Sequence, residues 1–126
     1  MLLELLLASQ LSAAPGQTEF ELLRDKAAAQ EVALNGDERH SLLLLRARLY
    51  AQALSSCGLS NSKERIDFDA IAEIREHGRM KVVAQSGKPD RAARCVTKYL
   101  NQSMVPELPF LPELIRFSIS YVPGGP

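Results

Sequence analysis

The sequence predicts an α+β fold: a helical hairpin over 17–57, then a β-β-α-β unit over 65–122 with a three-stranded antiparallel sheet. Two changes of apolar spacing carry the prediction. Apolar residues recur every third or fourth position as far as Ser56, and every second position from Ile66 onward. One further stretch of helical spacing, over 90–102, interrupts the second regime. Composition sets the class. The 126 residues carry 15 basic and 15 acidic side chains, with 46% apolar and 24% charged residues. That is one globular domain, here 17–126, and not a disordered chain. Zero net charge disfavours a chain built to coat nucleic acid. No apolar run reaches the roughly 18 residues that cross a bilayer, so no transmembrane segment is read.

Residues 1–16 stand apart. Leu2, Leu3, Leu5, Leu6, Leu7 and Leu11 precede Ser12-Ala13-Ala14-Pro15. An apolar run closed by small residues has the form of a secretory signal cleaved after Ala14. Glu4 inside the run, and no Lys or Arg before it, leave open an N-terminal amphipathic helix.

Thr18-Glu19-Phe20-Glu21 is a capping box, and it starts a helix that runs to Leu34 with Phe20, Leu23, Ala27 and Leu34 on one face. Asn35-Gly36 stops it. Asp37 is positioned to cap a second helix over 38–56. There Leu42, Leu45, Leu49 and Ala53 form one stripe; Leu43, Ala47, Tyr50 and Leu54 form another, a broad face that predicts extensive burial. Ile66, Phe68, Ala70, Ala72 and Ile74 alternate with Asp67, Asp69 and Glu73 as a half-buried strand, with Ile71 out of pattern. Gly78 supplies the turn, and Met80, Val82 and Ala84 make the partner strand. Pro89 suits the start of the helix that carries Ala92, Cys95, Val96, Tyr99 and Leu100. Three prolines keep Val105–Pro112 irregular, and Ile115, Phe117, Ile119 and Tyr121 alternate in the last strand. The charged alternate positions predict one face under helices and the other in solvent.

Residues 66–121 resemble the C-terminal domain of TonB-like proteins, in the short form called the AgmX/PglI C-terminal domain. The likeness rests on order: the strand Ile66–Ile74, the turn His77-Gly78-Arg79, the strand Met80–Gln85, and a Ser-Gly loop. A helix bearing Ala93-Arg94-Cys95-Val96 follows, then the link Val105-Pro106-Glu107-Leu108-Pro109 and the strand Ile115–Tyr121. The resemblance implies a periplasmic or envelope protein that binds an extended peptide at a sheet edge. Physics permits this, because an edge strand offers unpaired N–H and C=O groups. On this reading the partner-binding residues are Ile115, Phe117, Ile119 and Tyr121, and the partner is a protein or peptide.

Cys57 and Cys95 fall on core-facing positions of helices that could pack together. In an exported chain they would form a disulfide; in a reducing compartment they would be buried thiols. His40 and His77 show no metal-ligand spacing with them, so neither metal nor cofactor is read. Asp67 and Asp69 share a strand face and read as solvated rather than as a catalytic pair. No nucleophile or phosphate-loop motif occurs, which gives no basis for an enzyme. The stretch Lys63–Lys98 holds 9 basic and 6 acidic residues, with Arg91, Arg94 and Lys98 on one helix side. Without interleaved aromatics these form a solvated face rather than a nucleic-acid site. Leu108, Phe110 and Leu111 either dock a partner or close the core, with Phe110 as the anchor. The alternative to an exported binding module is a cytoplasmic α+β protein that self-associates, as a homodimer, through its Leu-rich helices.

Overall fold

The computed structural model describes residues 17–60, 65–88 and 90–121. The leader-like stretch 1–16, the loop at 61–64, Pro89, the 122–126 tail and the Tyr121 side chain lie outside the described residues. The element order is α1 (Glu19–Val32), α2 (Gly36–Ser56), β1 (Ile66–Ile74), a short 3-10 turn (Glu76–Gly78), β2 (Met80–Ser86), α3 (Arg91–Asn101) and β3 (Leu114–Tyr121). This is an α+β fold with a three-stranded antiparallel sheet ordered β2-β1-β3.

Local chemistry sets the helix starts. Thr18 caps α1, its hydroxyl accepting the Glu21 N–H at 3.1 Å, and Glu21 completes the box. The cap of α2 is Asn35, not Asp37. The Asn35 side chain accepts the Glu38 N–H at 2.8 Å, and the Glu38 carboxylate accepts the Asn35 N–H at 2.9 Å. Asp37 then falls in the first turn, where its charge complements the helix dipole. Asp90 caps α3 through the Ala93 N–H.

The sheet separates the helices. On one face Phe68, Ala70 and Ala72 of β1, Met80 and Val82 of β2, and Ile115 and Phe117 of β3 pack against Leu42, Leu45, Leu49 and Ala53 of α2 and Val96 and Leu100 of α3. Alternation sends Ile71 to the opposite face. There it is fully buried with Leu114 under Phe20, Leu23 and Ala27 of α1. The expectation of a solvated second face is therefore corrected: α1 covers part of it. The three-residue link 33–35 carries the chain around the outer edge of β3, so the consecutive helices lie on opposite sides of the sheet. Leu34 accordingly joins the α2–α3 core rather than the face of Phe20.

β1 carries a register shift opposite β2. Ile71 pairs with Ala84 and Ala72 with Val82, so Val83 is an extra residue, a β-bulge. The bulge turns Val83 and Ala84 together toward α1, so Ala84 leaves the face of Met80 and Val82. At the β1–β2 turn His77 and Gly78 both have positive φ. The Gly78 carbonyl accepts the Val105 N–H at 2.8 Å, and a Cβ at Gly78 would collide with the Val105 carbonyl oxygen. Val105 and Leu111 carry the proline-rich link into the core. Phe110, expected as its anchor, is half-buried and stands outside that cluster. Only one stripe of α2 is buried; Leu43 and Ala47 of the second stripe are exposed. Cys57, at the C-cap of α2, is disulfide-bonded to Cys95 of α3 with a Cα–Cα distance of 5.9 Å.

Candidate functional site

Strand addition needs outward backbone groups that nothing else satisfies, and in this sheet β2 and β3 are the two edges that present them. β3 is an edge strand, as the sequence suggests, and three of its outward backbone groups are occupied. The Leu114 N–H donates to the Gln30 side-chain oxygen at 2.9 Å. The Arg46 guanidinium donates to the Arg116 carbonyl at 3.1 Å and pairs with Glu31 at 2.8 Å. The Ser118 N–H donates to the Tyr50 hydroxyl. Gln30 and Glu31 belong to α1 and Arg46 and Tyr50 to α2, so the helices clasp the edge from both faces. Tyr50 also meets the Phe117 ring edge-on, with centroids 5.6 Å apart. Burial raises its pKa above the ordinary 10.0, outweighing the Ser118 hydrogen bond and the Arg46 charge, which lower it. A cleft of about 310 Å³ lined by Ala27, Glu31, Arg46, Tyr50 and Arg116 lies over this clasp.

Of the side chains expected to bind a partner, Ile115, Phe117 and Ile119 point inward. Ile115 and Phe117 are buried in the core under α2 and α3, and Ile119 is partly buried against the same core. Tyr121 pairs with Ile66 at the end of β3. Ile115, Phe117 and Ile119 thus build the inside of the sheet, so a partner on this strand would meet the adjoining backbone edge, where the Leu114 N–H, the Arg116 carbonyl and the Ser118 N–H are already bonded. Sequence gives no sign of the clasp, since Gln30, Arg46 and Tyr50 lie 84, 70 and 68 positions from their partners.

β2 is capped over only half its length. The Met80 N–H donates to the Ser103 carbonyl at 3.3 Å and the Val82 N–H to the Asn101 side-chain oxygen at 2.8 Å. Beyond the bulge, Gln85 pairs with Ala70, whose N–H and C=O face β3; the Gln85 N–H and C=O therefore face outward. No described residue bonds them. Beside this stretch runs a groove of about 420 Å³ lined by Gln85 and by Arg94, Thr97, Lys98, Asn101 and Gln102. The Thr97 hydroxyl is buried and has no hydrogen-bond partner among the described residues. Arg91, Arg94 and Lys98 are exposed along the same helix.

The remaining candidates are surface features. Asp69 holds Arg116 through two hydrogen bonds of 2.9 and 2.6 Å, which raise the pKa of the guanidinium further. Asp67 pairs with Arg65 at 2.8 Å and accepts from the Ser120 hydroxyl at 3.3 Å. His77 lies 3.6 Å from Glu107, both exposed, and His40 is exposed on α2. Among the described residues no three His, Cys, Asp or Glu side chains stand together as a metal site, and no helix is long and apolar enough to cross a membrane. A groove of about 890 Å³ lies at the β1–β2 turn and mixes Glu73, Glu76 and Glu113 with Arg75, Arg79 and Lys81. Comparison with protein-family models, with curated proteins and with solved structures returns no match.

Proposed function

We propose that this chain is a non-catalytic protein-binding module of an oxidising compartment, periplasmic or secreted, that takes up an extended acidic peptide along the free half of β2. The observation that carries the reading is the uncapped backbone at Gln85 beside the basic side of α3. An added strand would satisfy the outward amide and carbonyl of Gln85, and main-chain bonds of this kind supply affinity with little demand on sequence. Lys98 on the opposite wall would favour carboxylates. A turn of the Thr97 side chain would give its unpartnered hydroxyl a bond to the peptide. The likeness of residues 66–121 to TonB-like C-terminal domains supports the binding class, although in this chain β3 is clasped. The Cys57–Cys95 disulfide supports the compartment, since such bonds persist where thiols are oxidised.

Selection of displayed peptides on the oxidised chain, followed by amide shift mapping with a selected peptide, tests this. Shifts are expected at Val82, Gln85 and Lys98. Gln85→Pro should weaken binding by about tenfold or more through loss of a main-chain donor, whereas Ser118→Pro should leave it intact. Lys98→Glu, which keeps the strand unchanged, should weaken acidic peptides selectively. Shifts confined to 114–120, with binding that survives Gln85→Pro and Lys98→Glu, would remove the β2 site.

A further inference from the structure

The outer face of α2 has no cover among the described residues. Leu44, Ala47, Ala51 and Leu54 follow one another at spacings of three, four and three, the a/d pattern of a helix seam. The seam lies away from the buried stripe of Leu42, Leu45, Leu49 and Ala53. Leu44 is 58% exposed and the neighbouring Leu43 56%. Ala47 and Ala51 are exposed and Leu54 is half-buried.

The order of residues in the seam is symmetric. Leu44 and Leu54 each stand five positions from Leu49, and Ala47 and Ala51 each stand two positions from it. Read from either end of the helix, the seam presents Leu, Ala, Ala, Leu at the same spacings. A stripe with that property is complementary to its own reversed copy, the requirement of a two-fold interface. A foreign helix would place no such constraint on it. We propose that two copies of the chain associate antiparallel through α2, with Leu44 of each copy against Leu54 of the other and Ala47 against Ala51. The central alanines allow close approach of the backbones, and the leucines close the two ends.

Charge sets a further property of this pairing. A two-fold axis lying in the interface keeps each flank of the helix on its own side. Arg48 flanks the seam one residue from the centre, so the two Arg48 side chains face each other near the axis. Asp37, on the same flank, is about three helical turns away from Arg48 of its own chain. Added salt should therefore strengthen the pair rather than weaken it. One helix buries less than the roughly 800 Å² per partner of a standard interface, so the dimer is weak, with Kd of order micromolar or above.

Sedimentation equilibrium of the oxidised full chain tests the proposal. From about 10 μM to 1 mM, a range set by the expected weak interface, the mass should rise from 13.9 kDa toward its double. The rise should be steeper at higher salt. Leu44→Glu, an exposed position whose charge leaves the fold unchanged by circular dichroism, should reduce association more than about a hundredfold, because it acts twice in a symmetric pair. Oxidation should cross-link the double variant Ala47→Cys/Ala51→Cys but not the single variant Ala47→Cys, since position 47 faces 51 in this register. A mass of 13.9 kDa throughout, a dimer that survives Leu44→Glu, or efficient cross-linking of the single variant each overturns the proposal. So does a monomer that dimerises only when residues 1–16 are removed, which would assign the seam to that segment.

Discussion

Tyr50 packs its ring edge-on against Phe117 and offers its hydroxyl to the Ser118 N–H, so one side chain of α2 serves both the core and the strand edge. The balance between these environments fixes its titration. Burial disfavours the phenolate and raises the pKa above 10.0. Folding therefore favours the neutral form. The stabilising contribution is complete below the unfolded value and is lost as pH rises through the folded one, so stability falls on the alkaline side of about pH 10. Tyr50→Phe keeps the ring and removes the cap. Urea unfolding should show a loss of about 1 kcal/mol at neutral pH and a shallower alkaline decline than in the parent chain. An equally steep decline would place the titrating group elsewhere. The sequence places Tyr50 on a helix face that looks simply apolar. Its hydrogen bond to Ser118 depends on a contact 68 positions away, which helical periodicity does not encode.

The clearest element-scale feature is the attachment of α1. Its contact with the sheet runs through Phe20, Leu23 and Ala27 on one side and Ile71 and Leu114 on the other. Ile71 is fully buried, so Ile71→Ala should cost about 2–4 kcal/mol. In native-state hydrogen exchange, α1 should lose protection before α2 or α3, because the second core on the far face is untouched. Uniform loss across all three helices would show that the two cores do not open separately. The strands themselves are legible in the sequence: the alternation from Ile66 to Ile74 matches β1 end to end. Ile71 is the visible irregularity in that pattern, and it marks a helix on the second face. Its meaning stays hidden in the sequence because the bulge that brings Val83 and Ala84 beside it arises from pairing with β1, not from any turn signal within β2. Phe110 and Leu111 show the same limit. Both are large and apolar in a proline-rich link, and only the path of that link selects Leu111 for the core.

Across the whole molecule, the Cys57–Cys95 bond closes a 38-residue separation that holds β1 and β2 but neither α1 nor β3. In the chain-entropy model a loop of that size contributes about 4 kcal/mol. Cys57→Ser/Cys95→Ser should lower stability by an amount of that order, measured in urea against the oxidised parent. A change below about 1 kcal/mol would mean that the α2–α3 packing alone already constrains the unfolded chain. The covalent loop also divides the molecule into a tethered half and a free one. The β1–β2 ribbon forms from neighbours in sequence, whereas β3 reaches β1 across 41 to 55 positions, from Glu73–Leu114 to Ile66–Tyr121. Until that long-range pairing is made, the middle ribbon has one bare flank and the interior lacks the Phe117 ring. A chain in which β3 has not docked would offer its central strand to any neighbour.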